Sequence, residues 1–303
     1  MTSWPWMKGI DVAIADPIPP VNEYDERPSV KELIEKKRKI IDLVKADLAD
    51  EPLYDASKHD DLWILRFVLS HGKKKRAVKA AKVTMAFRQT HKLDDEDFRA
   101  FPPAGPRTHP RGKVFKDYLQ YCNDDALNFC VPDAKRGVIG FLDVPGIHQH
   151  ELVKHFPEEE WLPAFLYMSE WSHQWLDYVT RTTGRLTKTL RIANTDGIRV
   201  KHINSENQKR DGKAMGIMED CYPQLLQGIF VCNSPPWIQI PWRIVRPFLP
   251  KRVVAKIDFV SPEKNEKERK RFLNYISQEN LPVRFGGEKK EWPAIFPVPP
   301  LQG

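Results

Sequence analysis

The chain has 303 residues, 41% of them hydrophobic, with 48 basic against 41 acidic side chains and a formal charge of +7. That length and apolar content bury a sizeable core, as one large domain or as a small lobe joined to a larger one. The charge is moderate and spread out, so it favours anionic surfaces weakly and does not by itself separate a membrane from a nucleic acid. The four cysteines (Cys122, Cys130, Cys221, Cys232) lack CxxC and zinc spacings and read as reduced, mostly buried thiols.

Residues 1–28 hold five prolines and no sustained period, so they read as an extended arm that Trp4 and Trp6 are suited to dock. A helical lobe is expected over residues 29–101. Its first helix starts where Ser29 and Glu32 form a capping-box pattern ahead of Leu33, Ile34, Ile40, Ile41, Val44 and Leu48. A second starts at Asp60 or Asp61, with Leu62, Leu65 and Leu69 on one face. The third, over residues 75–91, carries Ala77, Ala80 and Ala81, small enough to let a neighbouring helix approach, and a fourth short helix is expected over residues 94–101. Pro and Gly at residues 102–112 end the lobe.

Over residues 113–288 the pattern changes. Strands are expected at residues 138–142, 187–193, 228–233 and 256–260, and helices at residues 158–179, 206–219 and 264–276. Strands separated by helices predict an α/β lobe with a mostly parallel sheet, because parallel neighbours need a crossover between them. Residues 289–303 form a Pro-rich tail.

Residues 221–257 combine large apolar side chains with five basic residues and no acid. Trp237, Ile238, Ile240 and Trp242 lead into a short helix expected over residues 242–249, with Pro241 at its start and Pro247 deforming it. Ile244, Val245, Phe248 and Leu249 continue the apolar side, while Arg243, Arg246, Lys251, Arg252 and Lys256 lie among them. Such a segment sinks its apolar side into a membrane interface while the cations meet anionic headgroups. The plain alternative is a buried strand followed by a core helix. A membrane span is excluded, because Pro223, Pro235, Pro236 and Pro241 break the helix that lipid requires. The N-terminus shows no secretory pattern, so a cytoplasmic protein in peripheral contact with membranes is expected.

Catalytic chemistry is poorly represented: there is no GxSxG elbow, GxGxxG turn or P-loop. His148, His150 and His155 with Glu151 are the nearest thing to a metal set and read more simply as surface loop residues, so no metal site is assigned. Asp143 and Asp196 sit at strand ends next to Gly or Pro and read as turn caps. The basic runs at residues 36–39 and 73–76 lack interleaved aromatics, which argues against nucleic acid.

The order of several short motifs resembles the CRAL-TRIO family of lipid-binding and lipid-transfer proteins over about residues 31–287. The motifs are Leu65-Arg66-Phe67 with the downstream helix at residues 80–88, then Tyr222-Pro223, Asn233-Ser234-Pro235, Pro247-Phe248-Leu249 and residues 280–287, NLPVRFGG. Each is weak alone; in this order and spacing they are specific. The resemblance implies a helical lobe packed on an α/β lobe whose sheet floors an apolar pocket, closed by a gate helix within residues 237–249. It implies no catalysis and no cofactor beyond a bound lipid. In phosphatidylinositol-transferring members the headgroup is held by a basic pair, a glutamate after Tyr-Pro and a lysine after the gate. Here those positions are His71 and Gly72, Gln224, and Lys256, so only the lysine is kept and the identity of the lipid is left open. The expected function is exchange of a single lipid at a transient membrane surface. The rivals are a lipid-independent module binding a small GTPase or other protein, favoured by a filled pocket, and, more weakly, a metal-dependent enzyme.

Overall fold

The computed structural model describes residues 4–7, 27–98, 111–123, 126–130, 139–249, 251–262, 264–273, 276, 278–279 and 281–290. Helices α1 (Val30–Leu48), α2 (Asp61–His71) and α3 (Lys74–Thr90) form the N-terminal lobe. Ser29 Oγ accepts from Glu32 N at 3.3 Å and Asp60 Oδ1 from Trp63 N at 3.0 Å. These caps satisfy N–H groups that have no partner inside the helix. The apolar stripes meet in one core, with Ile41 and Val44 of α1, Leu65 and Phe67 of α2, and Ala77, Ala81 and Met85 of α3. Trp4 and Trp6, each 1% exposed, are buried in that core.

Residues 94–98 form turns and not the expected fourth helix; residues 99–101 lie outside the described residues. Tertiary bonds replace the helical ones. Phe98 N donates to Gln174 Oε1 at 2.8 Å, Gln174 Nε2 to the Glu96 carbonyl at 3.1 Å, and Asp94 is drawn to Arg88 at 2.6 Å.

The α/β lobe runs α4 (Gly112–Leu119), β1 (Leu127–Cys130), β2 (Ile139–Asp143), α5 (Gln149–His155), α6 (Glu158–Thr183), β3 (Thr189–Asn194), α7 (Ser205–Cys221), β4 (Leu226–Cys232), α8 (Gln239–Val245), α9 (Lys251–Val254), β5 (Ile257–Val260) and α10 (Glu266–Leu273). Elements α4, β1, α5 and α9 add to those expected. The strands lie in the order β1-β2-β3-β4-β5, with β1 antiparallel to β2 and the other four parallel.

Alternation along each strand sends side chains to opposite faces. On one face Ile139, Leu190, Ile192, Phe230 and Val260 pack on Phe272, Ile276, Leu281 and Phe285. A Cβ at Gly287 would run into the Leu281 carbonyl, so only glycine lets this C-terminal motif close on itself. Asp143, at the end of β2, accepts from Asn194 Nδ2 at 2.7 Å and Arg284 Nη2 at 3.4 Å, tying two strands to that motif. The other face is only partly filled.

A buried polar layer joins the lobes along α6. Arg88 of α3 meets both oxygens of Glu170 at 2.8 and 3.1 Å, and Tyr222 Oη donates to Glu170 Oε2 at 2.9 Å. Arg66 and Arg181 pair with Asp177 at 2.8 and 2.9 Å, Arg181 reaches Asp60 at 2.5 Å, and Trp6 Nε1 donates to Asp177 at 2.8 Å. Burial alone would raise Asp177, but Arg66 and Arg181 hold its carboxyl well below the usual range. Burial likewise opposes the Arg88 charge, and Glu170 with Asp94 outweighs it, raising that pKa. Arg66 and Tyr222, two residues of the family-like motifs, are thus lobe-joining residues.

Candidate functional site: an apolar cavity on one face of the sheet

The unfilled face holds a cavity of about 290 Å³. Its floor is the alternate set of strand residues: Gly140 and Leu142 of β2, Arg191 and Ala193 of β3, Ile229 and Val231 of β4, Ile257 and Phe259 of β5. Small residues at Gly140, Ala193 and Thr195 leave the space that larger ones would occupy. Met168 of α6 and Asn207, Gln208, Asp211 and Met215 of α7 wall it, and Ile238, Trp242 and Leu249 close it from the segment after β4. A largely apolar void of this kind suits an apolar guest with a polar end.

The closing segment differs from the expected helix over residues 242–249. A 3-10 turn at Pro236–Ile238 leads directly into α8 at Gln239, and a second, Arg246–Phe248, follows it before α9. Pro241 is the third residue of α8, a position whose N–H has no intrahelical partner to lose, so the helix begins a turn earlier than Pro241 indicated. Pro247 lies where α-helical bonding gives way to the tighter turn. The segment has two sides. Trp242 packs edge-on against Phe259, ring centroids 5.5 Å apart, and faces the cavity with Ile238 and Leu249. Ile240 is 63% exposed, and Arg243 and Arg246 are exposed beside it. Trp237 is half-buried outside the cavity lining, and the side chains of Ile244, Val245 and Phe248 lie outside the described residues.

The three headgroup candidates gather around the N-terminal ends of the strands. Gln224 lies two residues before β4 with φ +63°, and its Nε2 donates to Ser70 Oγ at 3.0 Å, which places it beside His71 at the end of α2. Lys256 immediately precedes β5, and its carbonyl accepts from Ile229 N at 2.9 Å. Lys188, unnoticed in the sequence, precedes β3; burial and then the charge of Lys256 lower its pKa, so the two ammonium groups feel each other. Arg191 was also unnoticed. Both are basic interruptions of the apolar run at residues 187–193, and that was the available signal.

At the α7 wall, Asp211 accepts from Trp161 Nε1 at 3.0 Å and Asn207 Nδ2 at 2.8 Å, yet burial outweighs both bonds and raises its pKa to about 7. The candidate metal set does not converge. His148 bonds Asn123 at 3.0 Å, His150 bonds Asn204 at 3.2 Å and His155 pairs with Glu151 at 3.2 Å. Among the described residues, no three His, Cys, Asp or Glu side chains gather where a metal ion could be held. Also among them, no helix is long and apolar enough to cross a membrane. Cys122, Cys221 and Cys232 are free thiols, and burial pushes Cys122 and Cys221 up to about 12.

Comparison with known proteins agrees with this architecture. The chain is 28% identical to Patellin-5 of Arabidopsis thaliana over 141 residues, 44% of this chain and 20% of that protein. It is 26% identical to the phosphatidylinositol/phosphatidylcholine transfer protein SFH7 of the same plant over 96 residues, 32% and 17% of the two chains. It is 34% identical to the SEC14 cytosolic factor of Eremothecium gossypii over 76 residues, 25% and 23%. These matches span about a fifth of each relative's length. The crystal structure of Sfh5 superposes with a TM-score of 0.57 at 13% identity, covering 89% of this chain and 90% of that one, which shows a shared fold. The model of the CRAL/TRIO domain matches residues 131–287, and the chain therefore belongs to the CRAL-TRIO family of lipid-binding and lipid-transfer proteins.

Proposed function

We propose that the protein carries one lipid in the cavity over its sheet and exchanges it at a membrane surface, without catalysis. The observation that carries this reading is the two-sided segment after β4. The same few residues close an apolar cavity with Ile238, Trp242 and Leu249 and present Ile240, Arg243 and Arg246 outward. An apolar side chain flanked by arginines partitions into an anionic interface, where moving α8 away would open the cavity to the bilayer. At about 0.8 kcal/mol per buried methylene, the length of acyl chain that enters gives ample reason for the cavity to be occupied in water. Lys256, Gln224 and His71, with Lys188, are assigned to the headgroup because they lie at the strand ends beyond the smaller void next to Arg191. Similarity to the phosphatidylinositol/phosphatidylcholine transfer protein SFH7 makes a phospholipid the first candidate, phosphatidylinositol among them.

The test is sedimentation with anionic vesicles together with transfer between donor and acceptor vesicles. Ile240→Asp, at an exposed position, should lower both by about tenfold or more while the melting curve is unchanged. Unchanged sedimentation and transfer would remove α8 as the docking element.

A further inference from the structure

Arg191 is the outlier of the cavity. It stands in the middle of β3 on the cavity side, in the row Gly140, Arg191, Ile229, Ile257 that crosses four strands. One strand neighbour has no side chain and the other is apolar. Arg191 also lines a smaller void of about 40 Å³ with Thr189, Leu226 and Val253, so it stands between the main cavity and the strand ends that carry Lys188, Gln224 and Lys256.

Most other polar side chains of the cavity have protein partners, although Asn207 Oδ1 is buried without one. Thr195 donates to the Cys232 carbonyl at 2.8 Å, Gln149 accepts from Asn204 N at 3.0 Å and Gln208 at 3.2 Å, and Asp211 holds the two bonds given above. The Arg191 side chain, partly buried, has no hydrogen bond and no ion pair among the described residues, and Asp211 does not pair with it. Burial lowers its pKa with no carboxylate to offset the cost. A guanidinium cannot escape that cost by giving up its proton, as a lysine or histidine would. The interlobe arginines show how the same protein treats buried guanidinium groups that need nothing more: each faces a carboxylate.

We propose that Arg191 is the anchor for an anionic oxygen group of the ligand, a phosphate or a carboxylate, seated inside the cavity at the end of an otherwise apolar molecule. The fork of N–H donors matches either group two bonds at a time, and the largely apolar surroundings strengthen the pairing. Gly140 leaves the adjoining space open. The assignment rests on the lipid-binding reading and sharpens it: the cavity discriminates by charge in its interior, not only at its rim.

The experiment uses the full chain, stripped of bound lipid and offered single lipids as cyclodextrin complexes, with loading read by native mass spectrometry. The probes are dioleoyl phosphatidic acid and phosphatidylcholine for a phosphate, oleate for a carboxylate, and dioleoylglycerol for neither. Wild type should load phosphate or carboxylate probes about tenfold better than dioleoylglycerol, and whichever of the two classes is preferred names the source of the anion. Arg191→Gln should bring that ratio close to one, and Arg191→Lys, which keeps the charge but loses the fork, should fall between. A wild-type ratio near one, or a ratio that survives Arg191→Gln, overturns the assignment while leaving lipid binding intact. Failure of wild type to load any probe overturns the lipid-binding reading itself. Should Arg191→Gln not fold, the wild-type ratio and Arg191→Lys still decide.

Discussion

Two sets of arginines, buried or partly buried, divide this molecule. Arg66, Arg88 and Arg181 lie between the lobes and are matched by Asp177, Glu170, Asp94 and Asp60, with Tyr222 and Trp6 bonding to the same carboxylates. Arg191 lines the cavity and meets no acid among the described residues. Where charge is matched within the chain, it joins parts of the fold; where a cation facing a cavity has no counterpart, it is available to a ligand. The two faces of the sheet repeat the lesson in apolar terms. One is closed by Phe272, Leu281 and Phe285, and the other is left with about 290 Å³ of unfilled space.

The largest effect should come from breaking the matched set. Glu170→Ala leaves Arg88 buried without its bidentate partner and Tyr222 without an acceptor, and should cost about 3–5 kcal/mol in urea unfolding. A loss below about 1 kcal/mol would mean that the layer does not hold the lobes together.

Acid should act next, at the edge of the same layer. His59 is 3% exposed, burial lowers its pKa to about 4, and its Nδ1 accepts from Asp55 N at 2.9 Å, so the folded protein holds it neutral. Its folded pKa lies below the unfolded one, so the unfolded chain binds more protons and stability falls as pH drops below about 6.5. Between about pH 6.5 and 5 the loss is on the order of 2 kcal/mol. His59→Gln should flatten this part of the pH–stability curve; an unchanged slope would contradict the assignment.

Asp211 runs the other way. With its folded pKa raised to about 7, its contribution is full below the unfolded carboxylate range and is lost as pH rises through about 7. Asp211→Asn should therefore raise the melting temperature near pH 8 and have a smaller effect near pH 3. An equal shift at both would show that the carboxyl is not held protonated.

The smallest effect sharpens the contrast most. In lipid-free protein, Arg191→Leu removes a partly buried cation without breaking any pair, so stability should be unchanged or slightly raised. A loss comparable to that of Glu170→Ala would mean that Arg191 is a structural residue like Arg66.

Much of the fold was legible from sequence because its signals are local. The Ser29 and Asp60 caps, the apolar stripes of α1 and α2, and the short apolar strands placed those elements within a few residues. Elements α4, β1 and α5 carry only four to eight residues each and little periodicity, and they are held by what they pack against. The turns at residues 94–98 depend on Gln174, far away in the chain. The gate segment was legible in composition but not in register, since Pro241 fits several positions of a first turn. Arg191 and Lys188 could be seen as charges in a strand, but which face β3 turns to the cavity is a property of the sheet. The motif residues Arg66 and Tyr222 marked the family without revealing that their partners are Asp177 and Glu170 on α6.

The central claim is that the open face of the sheet is completed by a lipid. Organic extraction and mass spectrometry of the full chain purified from a eukaryotic host test it most directly. One lipid per protein molecule is expected, bearing a phosphate or carboxylate. A protein that comes out empty and remains empty after incubation with mixed-lipid vesicles would contradict it.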